Sequence, residues 1–294
     1  QMLRYKLAGP WRMLIAFNRL LAGTRRTGFQ VLLLHDVPVS QRPALERLLD
    51  YIEKTHGFLT PDAAARLIDG GAEESNRIPC LLSFDDGFVS NLDVAREILG
   101  PRRLKALFFV CPGLMDLPVS EQRDAIAKNI FQGRVSADEL DDTQRLMTWQ
   151  DLEELQRMGH TIGSHGMTHK RLSDLTGDAL KMEILGAGLA VEEKLAEPCP
   201  WYAYAFGDIG SVSIEAFRII MAAHRYCRTG IRGLNFPGTP EGGVLAQEIG
   251  LDTPFTYQKL VLDGGLDIRY GRSCIKLFQM LGHASSSTEQ HSIS

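Results

Sequence analysis

Two carboxylates stand side by side at Asp85 and Asp86, directly after the apolar run Leu81-Leu82-Ser83-Phe84 and directly before Gly87. Adjacent carboxylates at the end of a buried strand repel each other and lose hydration, so such a pair calls for a cation or a chemical task. Successive side chains leave a chain in different directions. One aspartate can therefore hold a metal while its neighbour faces a substrate as a base, with Gly87 permitting the sharp turn between them. The same residues also suit a surface turn whose first aspartate caps the next helix. A second cluster is Gly163-Ser164-His165-Gly166-Met167-Thr168-His169. Histidines four apart meet on one side of a helical turn, and two neutral imidazoles with one carboxylate form a metal-binding set that leaves coordination positions open for water. A capped surface turn is again the plainer alternative. A third cluster, Leu33-Leu34-His35-Asp36, places a histidine at the end of an apolar strand. Asp36 beside it can favour the protonated imidazole that a general acid requires. Leu281-Gly282-His283 is a weaker competitor, since it follows a helix-like stretch and precedes a serine-rich end.

The elements around these clusters determine whether they can meet. Residues 29–34, 80–84, 106–110 and 201–204 are short apolar runs that read as strands buried on both faces. Thr60-Pro61-Asp62 opens a helix through Ile68, and Thr148 with Asp151 has capping-box spacing for a helix through Arg157 that Gly159 closes. Residues 178–196 and 212–223 carry two more amphipathic helices. Strands alternating with helices predict parallel βα units, either a doubly wound sheet or a barrel, and both place function at the carboxyl ends of the strands. All three clusters lie at such ends. The stretch 112–147 has weak periodicity and reads as an excursion forming part of a rim.

Charge and cysteine content narrow the classes. Thirty-two basic and 36 acidic residues among 294 leave a net charge of −4, which does not suggest a nucleic-acid partner. The distribution is uneven: residues 1–30 contain six basic groups and no acid. Five widely spaced cysteines without a CxxC argue against a disulfide framework or a cysteine zinc site and fit a reducing compartment. The segment Trp11–Ala22 is interrupted by Arg12 and Arg19 and lacks a good cleavage site, so it reads neither as a signal peptide nor as a membrane span. As a helix it has Trp11, Leu14, Ile15 and Leu21 on one face. It suits either docking on the domain or peripheral contact with an anionic membrane through residues 1–28. We expect a basic N-terminal extension over 1–28, one domain over 29–282 and a disordered tail over 283–294, with a cytoplasmic location or one at the inner membrane surface.

Taken together, Ser83-Phe84-Asp85-Asp86-Gly87 and Gly163-Ser164-His165 through His169 resemble the two signature motifs of the polysaccharide deacetylases, the NodB-homology or carbohydrate esterase family 4 group. Met147-Thr148-Trp149 and the third motif, Tyr202-Ala203-Tyr204-Ala205-Phe206-Gly207, extend the resemblance over residues 30 to 235. It implies a distorted (β/α)7 barrel, TIM-barrel-like, and metal-dependent removal of an N-acetyl group from an amino sugar. By motif, Asp85 is the general base, and Asp86, His165 and His169 hold the metal, Zn²⁺ foremost with Co²⁺, Ni²⁺ or Fe²⁺ as alternatives. Members that begin with a strand ending in His-Asp-Val take the general acid from it, which matches His35. Tyr204 and Phe206 of the third motif fall at the substrate and oxyanion position.

The chain departs from the pattern at Ala205, where a proline is usual, and at Lys170, where a proline commonly follows the second ligand histidine. It departs again at Ala203, where the best-known members place an arginine that orients the base. The expected partner is an N-acetylated carbohydrate of a surface polysaccharide or its precursor. A catalytically silent carbohydrate-binding scaffold, motivated by the altered third motif, and a hydrolase of another amide are the alternatives.

Overall fold

A computed structural model describes residues 5–22, 28–71, 77–141 and 144–289 of the chain. Its strands are β1 (Gln30–Leu34), β2 (Phe58–Leu59), β3 (Cys80–Phe84), β4 (Ala106–Val110), β5 (Thr161–Ser164), β6 (Trp201–Ala203), β7 (Tyr226–Arg228) and β8 (Ala246–Glu248). They pair in the order β7-β6-β5-β4-β3-β1-β8, every pair parallel, with β2 attached to β3. A parallel bridge between Arg228 and Val244 brings the two ends of this row together. The result is a distorted seven-stranded barrel, the second of the two architectures that alternating βα units allow.

The helices considered below are α1 (Ala8–Ala22), α2 (Arg42–Thr55), α3 (Pro61–Ile68), α4 (Trp149–Arg157), α5 (Ala187–Leu195), α6 (Ile214–Ala223), α7 (Phe255–Leu262) and α8 (Gly271–Glu289). The two capped starts form as the sequence predicts. Thr60 Oγ1 accepts from the Ala63 amide at 3.2 Å, and Thr148 and Asp151 close a reciprocal capping box.

Period-two alternation along the strands divides the core. Leu32, Leu34, Leu82 and Phe108 pack outward against the helices, in one cluster with Leu48 of α2 and Leu152 of α4. Val31, Leu33, Leu81, Leu107, Phe109 and Trp201 fill the barrel interior. Gly163 belongs to this inner row: a Cβ there would lie 2.6 Å from the Phe109 ring and 2.9 Å from the Trp201 carbonyl oxygen. Carried one step past the strands, the inner row reaches His35, Asp85, His165 and, at the ends of β7 and β8, Arg228 and Glu248. The fold thus delivers its polar side chains to one mouth.

Two terminal expectations meet the structure differently. Helix α1 docks on the domain: Ala8 is buried, Trp11 Nε1 donates to the Gly265 carbonyl at 3.0 Å, and Arg12 pairs with Asp263 at 2.6 Å. Residues 283–289, expected as part of a disordered tail, instead continue α8, while 290–294 lie outside the described residues. Leu277, Leu281 and Ala284 recur at helical spacing and pack into the cluster containing Phe217 and Ile220 of α6. An established helix extends through serines at little cost, because only its first turn is expensive.

Candidate active site

Asp85 and Asp86 leave β3 in different directions, as their proposed division of labour requires. The Asp85 amide donates to the Leu34 carbonyl at 2.9 Å, prolonging the β1–β3 ladder, and Asp86 then turns with φ of 73°, followed by Gly87 at 78°. A positive φ costs a non-glycine residue about 1–3 kcal/mol and persists where the surroundings impose it. Asp86, His169 (58°) and Phe206 (67°) all adopt one at this mouth.

Asp86, His165 and His169 are buried, and one ligand atom from each lies within 4.8 Å of the others. His165 Nδ1 lies 2.6 Å from the Ala203 carbonyl oxygen, and His169 Nδ1 lies 3.0 Å from that of Asn129. Each Nδ1 thus donates to a carbonyl, which leaves the Nε2 lone pair facing inward. The two Nε2 atoms stand 3.6 and 3.3 Å from Asp86 Oδ1, an atom buried without a hydrogen-bond partner. Two inward imidazole lone pairs converging with an unsatisfied carboxylate oxygen form the donor set of a divalent cation, and the site fits one.

The protonation states of Asp86 and His165 suit that use, and a cation bound at His169 displaces a proton. Burial opposes the charge of Asp86, but His169, His35 and His165 outweigh it and hold its carboxyl well below the usual range. Burial pushes His165 down to about 4, so it stands neutral at pH 7. For His169 burial acts in the same direction, yet Asp86 beside it raises the net value.

Asp85 is held apart from this set by Arg228, whose Nη2 donates to both of its oxygens. Arg228 is buried, with its guanidinium carbon 5.0 Å from the Phe109 ring centroid. It stands opposite Ala203 in the β6–β7 register. The strand next to Ala203 thus brings a guanidinium to Asp85. The mouth opens on a cavity of about 530 Å³. His35 and Glu248 line one wall, Ile130, Phe131 and Arg134 of the 112–147 excursion another, and Phe206 a third.

Not every expected residue reaches this cavity. Tyr204 is fully buried, and its hydroxyl donates to the Gly207 carbonyl at 3.0 Å; it braces the Phe206 turn, and its ring contributes no cavity wall. Phe206 does line it, 4.8 Å from the His169 ring, with Arg171 stacked on it at 4.6 Å. Asp36 makes no pair with His35: its two oxygens accept from Ser90 Oγ at 2.6 Å and Gln144 Nε2 at 3.2 Å. His283 sits exposed on α8.

Three supporting residues escaped the sequence reading: Arg228, Asn129 and Glu183. Glu183 is buried beneath the histidine turn. Its Oε1 accepts from the amides of Thr168 at 2.8 Å and Lys170 at 3.1 Å, and its Oε2 accepts from Thr168 Oγ1 at 2.8 Å. These bonds hold both sides of His169. Glu183→Ala is expected to weaken Zn²⁺ binding by about 10–100-fold, the usual effect of removing a group that orients a ligand. Glu183→Gln, which keeps the Oε1 acceptor, retains most of the affinity. Calorimetric titration of the metal-free chain with Zn²⁺ measures both.

Comparison with known proteins gives a family and a fold. The family model described as polysaccharide deacetylase matches residues 72–219, about half of the chain, and so leaves His35 and Arg228 outside the match. No curated protein sequence matches. Among solved structures, IcaB from Ammonifex degensii is similar with a TM-score of 0.61 at 20% identity, covering 82% of this chain and 98% of that one. The deacetylase PplD of Streptococcus pyogenes, solved with acetate, gives 0.61 at 16%, covering 81% and 98%. The deacetylase domain of BpsB from Bordetella bronchiseptica gives 0.60 at 16%, covering 76% and 96%. At these identities the likeness is one of fold.

Proposed function

The chain belongs to the polysaccharide deacetylase family, and we propose that it hydrolyses the N-acetyl group of an amino sugar in a cell-surface polysaccharide or its precursor, releasing acetate and a free amine. The observation that carries this reading is the separation of two aspartates at one mouth. Asp86 converges with two histidines, while Asp85 is locked by Arg228.

Asp86, His165 and His169 would hold a divalent ion, Zn²⁺ foremost, which when bound polarises an amide carbonyl and lowers the pKa of water. The remaining work falls to the chain itself. Asp85 takes the proton of the water that attacks the acetyl carbon, and Arg228 fixes the orientation in which it does so. We assign the backbone amide of the strained turn at Phe206 to the oxyanion that develops on the acetyl oxygen. Tyr204 is a positioning residue for that turn. His35, also on the cavity wall, gives its proton to the nitrogen as the C–N bond breaks, so that a neutral amine leaves. Ile130 and Phe131 offer an apolar wall to the acetyl methyl or the sugar face.

The altered third motif motivates the silent-scaffold alternative, and Arg228 answers its Ala203 part by placing a guanidinium on Asp85 from the adjacent strand. The test is acetate release from a panel of N-acetylated oligosaccharides. Chelated protein should be at least ~10³-fold slower than protein reloaded with Zn²⁺. Turnover of a different amide with no release from any saccharide would overturn the sugar assignment.

A further inference from the structure

The outer side of α1 is apolar where a docked surface helix is ordinarily charged. Ala8, Trp11 and Arg12 face the domain through the contacts described above. The other side presents Leu7, Pro10, Met13 and Leu14 to solvent, with Met13 75% exposed. Across a groove of about 520 Å³ stands Ile268, 82% exposed, with Arg269 on the groove's edge. Cations outnumber acids around it. Residues 5–22 contain no acid, Lys6 and Arg269 are exposed, and exposed Arg272 and Lys276 follow in the chain, while Asp263 pairs with Arg12 and Asp267 accepts from Gln247 Nε2 at 2.7 Å.

We infer that this composite face, residues 6–14 together with residues 268–276, docks on an anionic lipid bilayer. Leu7, Met13, Leu14 and Ile268 enter the boundary between headgroups and acyl chains, and the four cations meet lipid phosphates. Charge selects this occupant. A second copy seated by two-fold symmetry would bring two cationic sets face to face, whereas each cation near an anionic surface strengthens binding by roughly five-fold. The amino-terminal end of α7 links this face to the catalytic mouth. Tyr257 lines both the groove and a smaller recess containing Arg232 and Glu248, and Glu248 belongs to the catalytic cavity as well. A chain docked in this way holds its mouth beside the lipid surface.

The experiment is flotation of the full chain with phosphatidylcholine vesicles, with and without phosphatidylglycerol. Wild type is expected to float only with the anionic vesicles, and less as salt rises. The double variant Leu14→Glu/Ile268→Glu should bind at least ~10-fold more weakly. Arg269→Glu/Arg272→Glu should abolish the preference for phosphatidylglycerol. None of these residues lines the catalytic cavity, so acetate release from a soluble saccharide should match wild type in both variants. That separates failure of this inference from failure of the proposed activity. Equal binding to both vesicle types, no binding by wild type, or unaltered binding by the variants would overturn it. So would a concentration-dependent dimer that Leu14→Glu/Ile268→Glu dissociates, because a second copy would then be the occupant.

Discussion

Asp85→Asn should lower acetate release by about 10³-fold while the protein still binds one metal ion per chain. The substitution keeps the size of the side chain and one oxygen for Arg228 Nη2, so the two-oxygen contact is reduced without emptying the space. What disappears is the carboxylate's basicity, without which the group cannot take a proton from the attacking water. Asp86, His165 and His169 are untouched, which is why metal content and rate should separate. The check is acetate release at saturating Zn²⁺ alongside metal stoichiometry from elemental analysis. A variant that keeps its metal and its rate would show Asp85 to be only the partner of Arg228, and the base would have to be sought elsewhere on the cavity wall. Loss of metal together with rate would place Asp85 among the ligands, a role its 3.6 Å separation from His165 Nε2 makes worth excluding.

The sequence exposed the groups that do chemistry better than those that hold them. Asp85, Asp86, His165 and His169 stand in short local patterns, the two aspartates at the end of a strand whose apolar run is unmistakable and the histidines after the short β5. β3 and β4 form over the residues that their apolar runs predict. Arg228 was hidden because β7 is three residues long, with too few apolar positions for periodicity to register. Its inner-row position, two residues after Tyr226, is a usable signal only once the strand is known. Ala203 looked like a defect for the same reason. The register that sets it opposite Arg228 joins residues 25 apart in sequence, and no local pattern encodes that. Asn129 and Glu183 act through the backbone of the histidine turn from the 112–147 excursion and from a helix, contacts that only tertiary packing creates. The serine-rich end misled in the opposite direction. Composition reads as disorder there, but Ala284 and the leucines before it anchor the helix on α6.

His35 offers the sharper division of roles, because its proposed task depends on the leaving group. An amine cannot depart from a tetrahedral intermediate as an anion, so amide hydrolysis needs a proton at nitrogen. An aryl acetate releases a stabilised phenolate and needs none. His35→Gln should therefore slow acetate release from an N-acetylated saccharide by about 10²–10⁴-fold and leave hydrolysis of an aryl acetate within about three-fold of wild type. Asp85→Asn should slow both substrates, since water must be activated in either case. The placement of His35 supports this asymmetry. It follows β1 directly, where Leu34 pairs with Phe84, so it emerges beside Asp85 on the wall of the same cavity, and it lies outside the metal-binding set. Side-by-side kcat values for the two substrates in the two variants decide the matter. A parallel loss on amide and ester in His35→Gln would mean that His35 holds the substrate without protonating it, and the acid would then have to come from another group on that wall.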